Sequence, residues 1–431
     1  MDNEMTDALV SGSSKKTELA PFPVFDSYSV VKTLTPRSPF PESTPFVRET
    51  LTKIADCNPG VLEDYTMSIR FLTLMGRKSE QTYNALRIEV ERLLLWCWLV
   101  QGKSLTALKR ADYDAFVEFF VSPPVAWVGS ERQHHFVERE GSGGQKAPNP
   151  RWKPFRVTGQ QLEGRKVVKR TPSPSAFMKL FSSLTSFVDF LVLDGYLEGN
   201  PIPAVKKNSP YLIRDVSIRK SHRLSELEWD FVLQTVEDMA NANSRYERNL
   251  FAVLLLKSCY LRISEIAERA EWAPLMSHIE QKDGYWWLLV YGKGAKLRSV
   301  SMSDSILPYL IRYRRSRGLP EAIPADEREP LIHKLKGQGG VSIRQATRII
   351  EESFDAAVQK MIDDGFIKES EQLRLATSHW LRHTGASMDV GIRPLKHLSD
   401  DLGHASLATT DRVYVQSDDM ERAESGRKRK L

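Results

Sequence analysis

The segment Tyr285-Trp286-Trp287-Leu288-Leu289-Val290 is followed by Gly292-Lys293-Gly294 and by a second run from Leu297 to Met302. Two runs of apolar, aromatic and branched residues on either side of a glycine-containing turn predict a β-hairpin. The chain on both sides of this hairpin has a helical pattern instead. The sequence therefore predicts a mainly α-helical fold with a small β-sheet, of the α+β class.

Helical signals surround the hairpin. Ser225 with Glu228 three residues later forms a capping box, which predicts the start of a long amphipathic helix. An apolar helix is expected over Phe251 to Ser258. His379 and Arg382 are three residues apart and are expected on one face of a later helix. We therefore define residues 221–431 as one C-terminal domain.

A second, helical domain is predicted over residues 61–203. In Thr82 to Leu99, apolar residues recur at steps of three and four, so an amphipathic helix should run there and stop near Gly102. Further helices are expected from Asp112 to Phe120 and from Ala176 to Leu193.

Three other segments lack this periodicity. Residues 1–60 are rich in Ser, Thr and Pro and are predicted to be an extended or partly disordered leader, with aromatic residues such as Phe22 and Phe25 able to dock on a neighbour. Residues 123–174 are interpreted as an insertion in the helical domain. Basic residues mixed with Trp127, Trp152 and Phe155 suit either a nucleic-acid contact or a solvated loop there. Residues 204–220 are predicted to be a basic linker.

Composition limits the class of protein. The 431 residues are 41% hydrophobic and 27% charged, which is typical of a globular protein, and the net charge of +6 weakly favours a polyanionic partner. The three cysteines match no metal-ligand spacing, and Cys97 and Cys259 lie in apolar runs. The N-terminus has no signal-peptide pattern, and strongly apolar runs such as Leu93 to Val100 are shorter than the roughly 18 residues of a membrane span. We expect a cytoplasmic protein without a membrane partner.

The C-terminal domain contains an ordered set of polar motifs that its fold alone does not require. Taken singly, each is more often an ion pair, a turn, a hydrogen-bonded histidine or a packed tyrosine. If all of these motifs, in this order, had only such structural roles, several independent coincidences would be required. The motifs are Leu261-Arg262-Ile263-Ser264-Glu265, Gly292-Lys293-Gly294-Ala295-Lys296, His379-Trp380-Leu381-Arg382-His383-Thr384, Leu402-Gly403-His404, Thr409-Thr410 and finally Tyr414.

This set resembles the tyrosine recombinase, or phage integrase, family. The resemblance implies an integrase-like catalytic domain at 221–431, a core-binding domain at 61–203 and a two-domain clamp on DNA. It also implies a site-specific recombinase that cuts DNA through a 3′-phosphotyrosine, releases a 5′-hydroxyl and rejoins the strands, for integration, excision or resolution of a mobile element. Neither ATP nor a metal or other cofactor should be needed, and the sequence offers no obvious carboxylate cluster for magnesium.

The resemblance also implies a role for each motif residue. Arg262 and Arg382 would offer forked donors to the phosphodiester oxygens, and His379 and His404 would donate hydrogen bonds or assist proton transfer. Lys293 would protonate the departing 5′-oxygen, and Tyr414 would be the nucleophile. The remaining candidates act in support, with Glu265 orienting Arg262. They are Glu265 and His383 beside the catalytic set, and Lys296, Lys206 and Lys207 as DNA contacts.

One departure concerns the nucleophile. Tyr414 is ten residues after His404 and four after Thr410, whereas the family usually has nine and three. One extra residue on a helix rotates a side chain by about 100°. Either a flexible loop absorbs this residue, or the tyrosine is presented differently.

Partners follow from the same resemblance. They are double-stranded DNA with specific sites, three further copies of the chain in a synaptic homo-tetramer, and accessory proteins that bend DNA or set direction. Three other classes stay open: a DNA-binding regulator that has kept the fold without catalysis, a topoisomerase that relaxes any supercoiled DNA, and, least favoured, a hydrolytic nuclease.

Overall fold

The computed structural model describes residues 20–131, 133–139, 143–157, 162–163, 166–167, 172–212, 222–292, 294, 296–404, 406–414 and 427. The chain divides into two compact units between Ser217 and Ile218. This division falls within the predicted linker. Each unit has its own hydrophobic core.

The first unit is a helical bundle. Its helices are α1 (Tyr28–Val31), α2 (Pro45–Ala55), α3 (Val61–Gly76), α4 (Glu80–Leu95), α5 (Arg110–Val121), α6 (Pro174–Leu193) and α7 (Ile202–Asn208). A π-helical turn, Trp96–Gln101, extends α4, and Gly102 ends it in the left-handed conformation that glycine adopts most easily. The expected stop near Gly102 is confirmed.

The prediction of an extended leader is wrong for residues 20–60. This segment contains α1 and α2, and Phe22, Val24 and Phe25 are buried in the first core. The backbone N–H groups of Val24 and Phe25 both donate to Oε1 of Glu91 on α4. Aromatic burial and these buried hydrogen bonds fix a segment whose composition predicted disorder.

The segment 123–174 is more ordered than the absence of periodicity indicated. It contains four strands that pair as β1 (Val128–Gly129) with β4 (Phe155–Arg156) and β2 (Phe136–Glu138) with β3 (Lys146–Pro148). A further pair is β5 (Leu162–Glu163) with β6 (Lys166–Val167). Trp127, Trp152 and Phe155 are buried, so their rings complete the core and do not offer stacking surfaces to bases.

The predicted linker is also shorter than expected. Residues 202–208 form α7, and Pro210–Leu212 form one 3₁₀ turn, both within the first unit. Ile202 and Val205 are buried, which holds α7 on the bundle. Residues 213–220 of the predicted linker lie outside the described residues.

Helix α6 is long and apolar enough to span a membrane by length and composition, and 44% of that apolar window is buried in the structure. Seven of its apolar side chains belong to the first core, which accounts for the hydropathy of a helix inside a bundle. They are Phe177, Leu180, Phe181, Leu184, Phe187, Val188 and Leu191.

The second unit combines helices with one three-stranded sheet. The strands are β7 (Ile279–Lys282), β8 (Tyr285–Gly292) and β9 (Lys296–Ser301), antiparallel in that order. The helices are α8 (Glu226–Ala242), α9 (Glu247–Ser258), α10 (Leu307–Ser316), α11 (Ile343–Asp363), α12 (Ile367–Leu373), α13 (Ser378–Asp389), α14 (Leu395–Leu402) and α15 (Leu407–Tyr414). The hairpin and the Ser225–Glu228 capping box are confirmed, and β7 was not predicted.

Helix α9 lies at the centre of this unit. All residues from Leu250 to Leu256 are buried, which explains a helix with little amphipathic character. Helix α13 packs closely against it: a Cβ at Gly385 would lie 1.9 Å from the Lys257 carbonyl oxygen. This approach brings the His-x-x-Arg helix against the end of α9, where the Arg262 motif begins.

Candidate active site

The end of α9 sets the position of Arg262. Tyr260 has a φ of 51°, and the Leu261 N–H donates to the Leu256 carbonyl at 3.2 Å, so the helix closes with a left-handed turn. Arg262 follows in extended conformation and caps a short 3₁₀ turn, Ile263–Glu265. Its side chain is 27% exposed, so the guanidinium is accessible to a ligand.

Glu265 is the acceptor at the centre of this motif. The carboxylate is 1% exposed and accepts from the Arg262 backbone N–H at 2.8 Å and from Arg262 Nη1 at 3.1 Å. Burial raises the pKa of Glu265, but hydrogen bonds and charge from Arg298 and Arg262 outweigh it and hold the pKa below the ordinary value. Glu265 is therefore an anion that accepts hydrogen bonds from both the backbone and the side chain of Arg262.

Arg298 on β9 completes the ion-pair network. Its Nη1 and Nη2 donate to the two Glu265 oxygens at 2.7 and 3.0 Å, and its Nε donates to the Asp401 carbonyl at 2.9 Å. Sequence reasoning missed this residue. Two-residue alternation along β9 does place Arg298 on the same face as Lys296, but the motif drew attention only to the tip of the hairpin.

Arg382 is buried, at 1% exposure. Its Nη1 donates to the Tyr260 carbonyl, and its Nη2 donates to the Leu402 carbonyl at 2.7 Å. These carbonyls lie at the ends of α9 and α14. Arg382 therefore joins three helices as well as placing a fixed positive charge in the site.

His404 follows α14 and contacts both Arg382 and α15. Its Nε2 lies 3.3 Å from Arg382 Nη2, and its Nδ1 lies 2.8 Å from the Thr410 hydroxyl. A guanidinium has donors and no acceptor, so Nε2 accepts and the proton resides on Nδ1. Burial, with charge from Arg382, Arg262 and Arg298, lowers the pKa of His404 to about 4. In this arrangement the imidazole is neutral.

His379 and His383 are adjacent on α13. Their rings meet edge to face, with centroids 4.4 Å apart. Burial and nearby charge lower the pKa of His379, and burial, with His379 and Arg382, lowers that of His383 to about 4. The structure thus brings together six predicted residues in one cationic region: Arg262, Glu265, His379, Arg382, His383 and His404.

Lys293 and the side chain of Tyr414 lie outside what the structure describes. The backbone of Tyr414 is the last residue of α15, and the Thr410 hydroxyl links this helix to His404. A flexible loop at 407–414 is therefore not how the extra residue is absorbed, because this segment is helical. Lys296 is exposed at the start of β9 in the second unit.

Lys206 and Lys207 belong to the other unit. They lie in the last turn of α7, with Lys206 half-buried and Lys207 exposed. The structure does not place them in the candidate site.

Further polar residues support the turn before His404. Asp401 accepts from the Ser301 backbone N–H at 3.2 Å and from Arg393 Nη2 at 2.7 Å. Arg393 Nη1 also donates to the Tyr260 hydroxyl at 3.0 Å. No sequence signal distinguished these residues from ordinary surface charges. Among the described residues, no group of three or more His, Cys, Asp or Glu side chains is arranged to hold a metal ion.

The chain is similar to known proteins in sequence. Residues 223–421 match the phage integrase family. The chain is 26% identical over 248 residues to tyrosine recombinase XerC of Salmonella typhi, covering 57% of this chain and 70% of the relative. It is 27% identical to XerC of Chlorobaculum parvum, covering 55% and 68%.

Solved structures share the fold. The post-cleavage complex of XerH recombinase with a palindromic difH substrate has a TM-score of 0.53 at 13% identity, covering 93% of this chain and 92% of that one. The Tn1549 transposon integrase bound to a circular intermediate DNA has a TM-score of 0.50 at 15% identity, covering 85% and 99%.

These matches define the class of the protein as an enzyme that cleaves and rejoins DNA strands. Within that class, residues 223–421 match the phage integrase family, and the chain is similar to tyrosine recombinases.

Proposed function

We propose that this protein is a site-specific recombinase that acts through a covalent 3′-phosphotyrosine on Tyr414. The observation that carries the proposal is the proximity of three predicted catalytic residues: Arg382 Nη2 lies 3.3 Å from His404 Nε2, and burial together with the charges of both Arg382 and Arg262 lowers the pKa of His404. Two guanidinium groups on rigid elements supply fixed positive charge where a phosphodiester gains negative charge during displacement.

The chemistry follows from the residue types. The phenol of Tyr414 attacks the scissile phosphorus, the P–O bond to the 5′-oxygen breaks, and a phosphotyrosyl ester conserves the bond energy. The phenol loses its proton as it attacks, and Lys293 protonates the departing oxygen. A 5′-hydroxyl from a second strand then attacks the ester and releases the tyrosine. His379 donates a hydrogen bond to a phosphate oxygen, and the neutral His404 holds Arg382 and Thr410 through its two ring nitrogens, with His383 beside His379.

We also propose the DNA contacts, the oligomeric state and the cellular location of the protein. Double-stranded DNA with specific sites would be held by both units, with Lys206 and Lys207 on the first and Lys296 on the second contacting phosphates. Four copies would act on two sites, assisted by accessory DNA-bending or directionality proteins, within the cytoplasm. A transposon integrase and XerH are among the fold neighbours, which favours integration, excision or resolution of a mobile element as the outcome.

A suicide-substrate assay tests this function. Overlapping nicked duplexes from the DNA that flanks the gene would be incubated with the full chain in EDTA, and covalent adducts would be separated by denaturing electrophoresis. Wild type should form an adduct, Tyr414→Phe should not, and Arg262→Lys should react slowly because one ammonium cannot reproduce the fork.

The other outcomes discriminate between the alternatives. An adduct that persists in Tyr414→Phe identifies a different nucleophile. Tight, salt-sensitive binding without an adduct favours a non-catalytic DNA-binding protein. Relaxation of any supercoiled plasmid, irrespective of sequence, favours a topoisomerase.

A further inference from the structure

Arg298 connects three segments of the candidate site: the hairpin that carries it, the Glu265 motif and the turn before His404. We propose that Arg298 is a positioning residue that neutralises Glu265, leaves the Arg262 guanidinium available to the scissile phosphate, and fixes the backbone that leads to His404. This inference rests on the proposed function, because the phosphate in question is that of the DNA strand to be cleaved.

The geometry requires an arginine. Both Nη atoms pair with the two oxygens of Glu265 while Nε reaches the Asp401 carbonyl, so three donors of one planar group are used in different directions. The side chain is 14% exposed, which shields these bonds from water. A lysine has one ammonium on a flexible stem and cannot make the three contacts together.

The surrounding glycines are fitted to this side chain. A Cβ at Gly292 would lie 2.8 Å from Arg298 Nη1, and a Cβ at Gly403 would lie 3.0 Å from Arg298 Cδ. Gly292 belongs to the hairpin motif and Gly403 to the Leu-Gly-His motif. Two motifs that are far apart in sequence therefore have glycine where the Arg298 side chain passes between them.

Charge balance explains the effect on Arg262. Among the described residues, Arg262 and Arg298 are the cations within salt-bridge distance of Glu265. The Arg298 guanidinium donates to both carboxylate oxygens, and the Arg262 guanidinium makes a single longer contact. A buried carboxylate without a partner is costly. Removing Arg298 would therefore draw the Arg262 guanidinium fully onto Glu265 and away from a bound phosphate.

This charge balance predicts that a second substitution restores part of the rate. Arg298→Ala should lower the single-turnover rate of adduct formation on the nicked substrate by about 10²-fold at saturating DNA, since small misplacements at a reacting centre cost about that much. The affinity for the intact site should change little. Arg298→Lys should resemble Arg298→Ala. Adding Glu265→Gln to Arg298→Ala removes the charge that captures Arg262 and should recover about tenfold of the rate.

The control is Arg312→Ala. Arg312 forms a comparable partly buried pair with Glu247 at the opposite end of α9 from Arg262. The Arg312→Ala variant should therefore cleave the nicked substrate at the wild-type rate. Thermal unfolding of every variant would be recorded alongside the rates.

The rates and melting temperatures of these variants distinguish a positioning role of Arg298 from a purely structural one. A wild-type rate in Arg298→Ala overturns the positioning role. So does a slow Arg298→Ala that melts at a lower temperature and gains nothing from Glu265→Gln, because Arg298 would then serve folding alone. Absence of an adduct in wild type overturns the proposed function itself, and with it this role. A rescued double variant supports the role.

Discussion

The hydroxyl of Thr410 lies 2.8 Å from His404 Nδ1 and is fully buried. Because His404 Nε2 accepts from Arg382, the Thr410 hydroxyl receives the remaining imidazole proton. The helix that ends at Tyr414 is thus attached to the arginine site through one neutral histidine.

Thr410→Val keeps the shape of this side chain but removes the acceptor. We expect adduct formation to slow by up to about tenfold, because a hydrogen bond between neutral groups contributes about 0.5–1.5 kcal/mol. Thr410→Ser keeps the hydroxyl and is the matched control, which should retain most of the activity. Single-turnover cleavage of the nicked substrate measures both. Equal rates for Val and Ser would show that this hydrogen bond does not position α15.

The three histidines of the site predict a pH dependence of stability. Their pKa values are lowered in the folded state, for His383 and His404 to about 4, so the unfolded chain binds more protons between about pH 6.5 and 4. The free energy of unfolding should therefore fall as the pH drops through this window. Well above pH 6.5 the three histidines are neutral in both states, and the full stability is retained.

Denaturant unfolding of the full chain at several pH values, followed by a probe in the second unit, measures this dependence. His383→Gln cannot be protonated, so its stability should fall less steeply than that of wild type over the same window. Parallel curves for the two proteins would show that His383 does not gain a proton on unfolding. Carboxylates that titrate in this range affect both proteins equally and cancel in the comparison.

In the first unit, Glu91 is expected to hold the N-terminal segment. Its Oε1 accepts from Val24 N–H at 2.7 Å, and its Oε2 lies 3.0 Å from His135 Nε2 in the 123–174 segment. Glu91→Gln leaves the size unchanged but replaces a buried carboxylate acceptor with an amide, so we expect the first unit to lose about 1–3 kcal/mol. Hydrogen–deuterium exchange at the amides of Val24 and Phe25 should accelerate.

Glu138→Gln, which changes an exposed carboxylate on β2, is the control for this variant. Its exchange at Val24 and Phe25 should match wild type. Unchanged protection of these amides in Glu91→Gln would contradict the role of Glu91 and leave aromatic burial as the main restraint on the segment.

The sequence predicted local features better than long-range ones. The hairpin, the capping box of α8 and the stop at Gly102 depend on neighbouring residues, and each was found where expected. The motifs also named residues that the structure brings together, among them Arg382 and His404. Arg298 was not predicted as a site residue, because its contacts include Asp401, which is 103 residues away in the sequence. Composition alone does not show such a partner.

The same limit explains the errors in the first unit. Residues 20–60 have the composition of a disordered leader, yet Phe25 is fully buried and Glu91, 66 residues later, accepts its N–H. Trp127 and Phe155 stand in a segment without periodicity, for which the sequence leaves open either a nucleic-acid contact or a solvated loop, whereas both rings complete the core. Burial of scattered aromatic residues is decided by tertiary packing, which local propensity does not record.

The close packing of α13 on α9 yields the last prediction. A Cβ at Gly385 would lie 1.9 Å from the Lys257 carbonyl oxygen, and a backbone atom in a buried helix cannot move aside cheaply. Gly385→Ala should separate the two helices, lower the melting temperature of the second unit and abolish cleavage, because Arg382 on α13 would lose the Tyr260 carbonyl. Gly391→Ala, where a Cβ meets nothing within 4 Å, is the matched control and should melt and cleave like wild type. Normal melting with normal cleavage in Gly385→Ala would mean that the two helices do not pack at this distance.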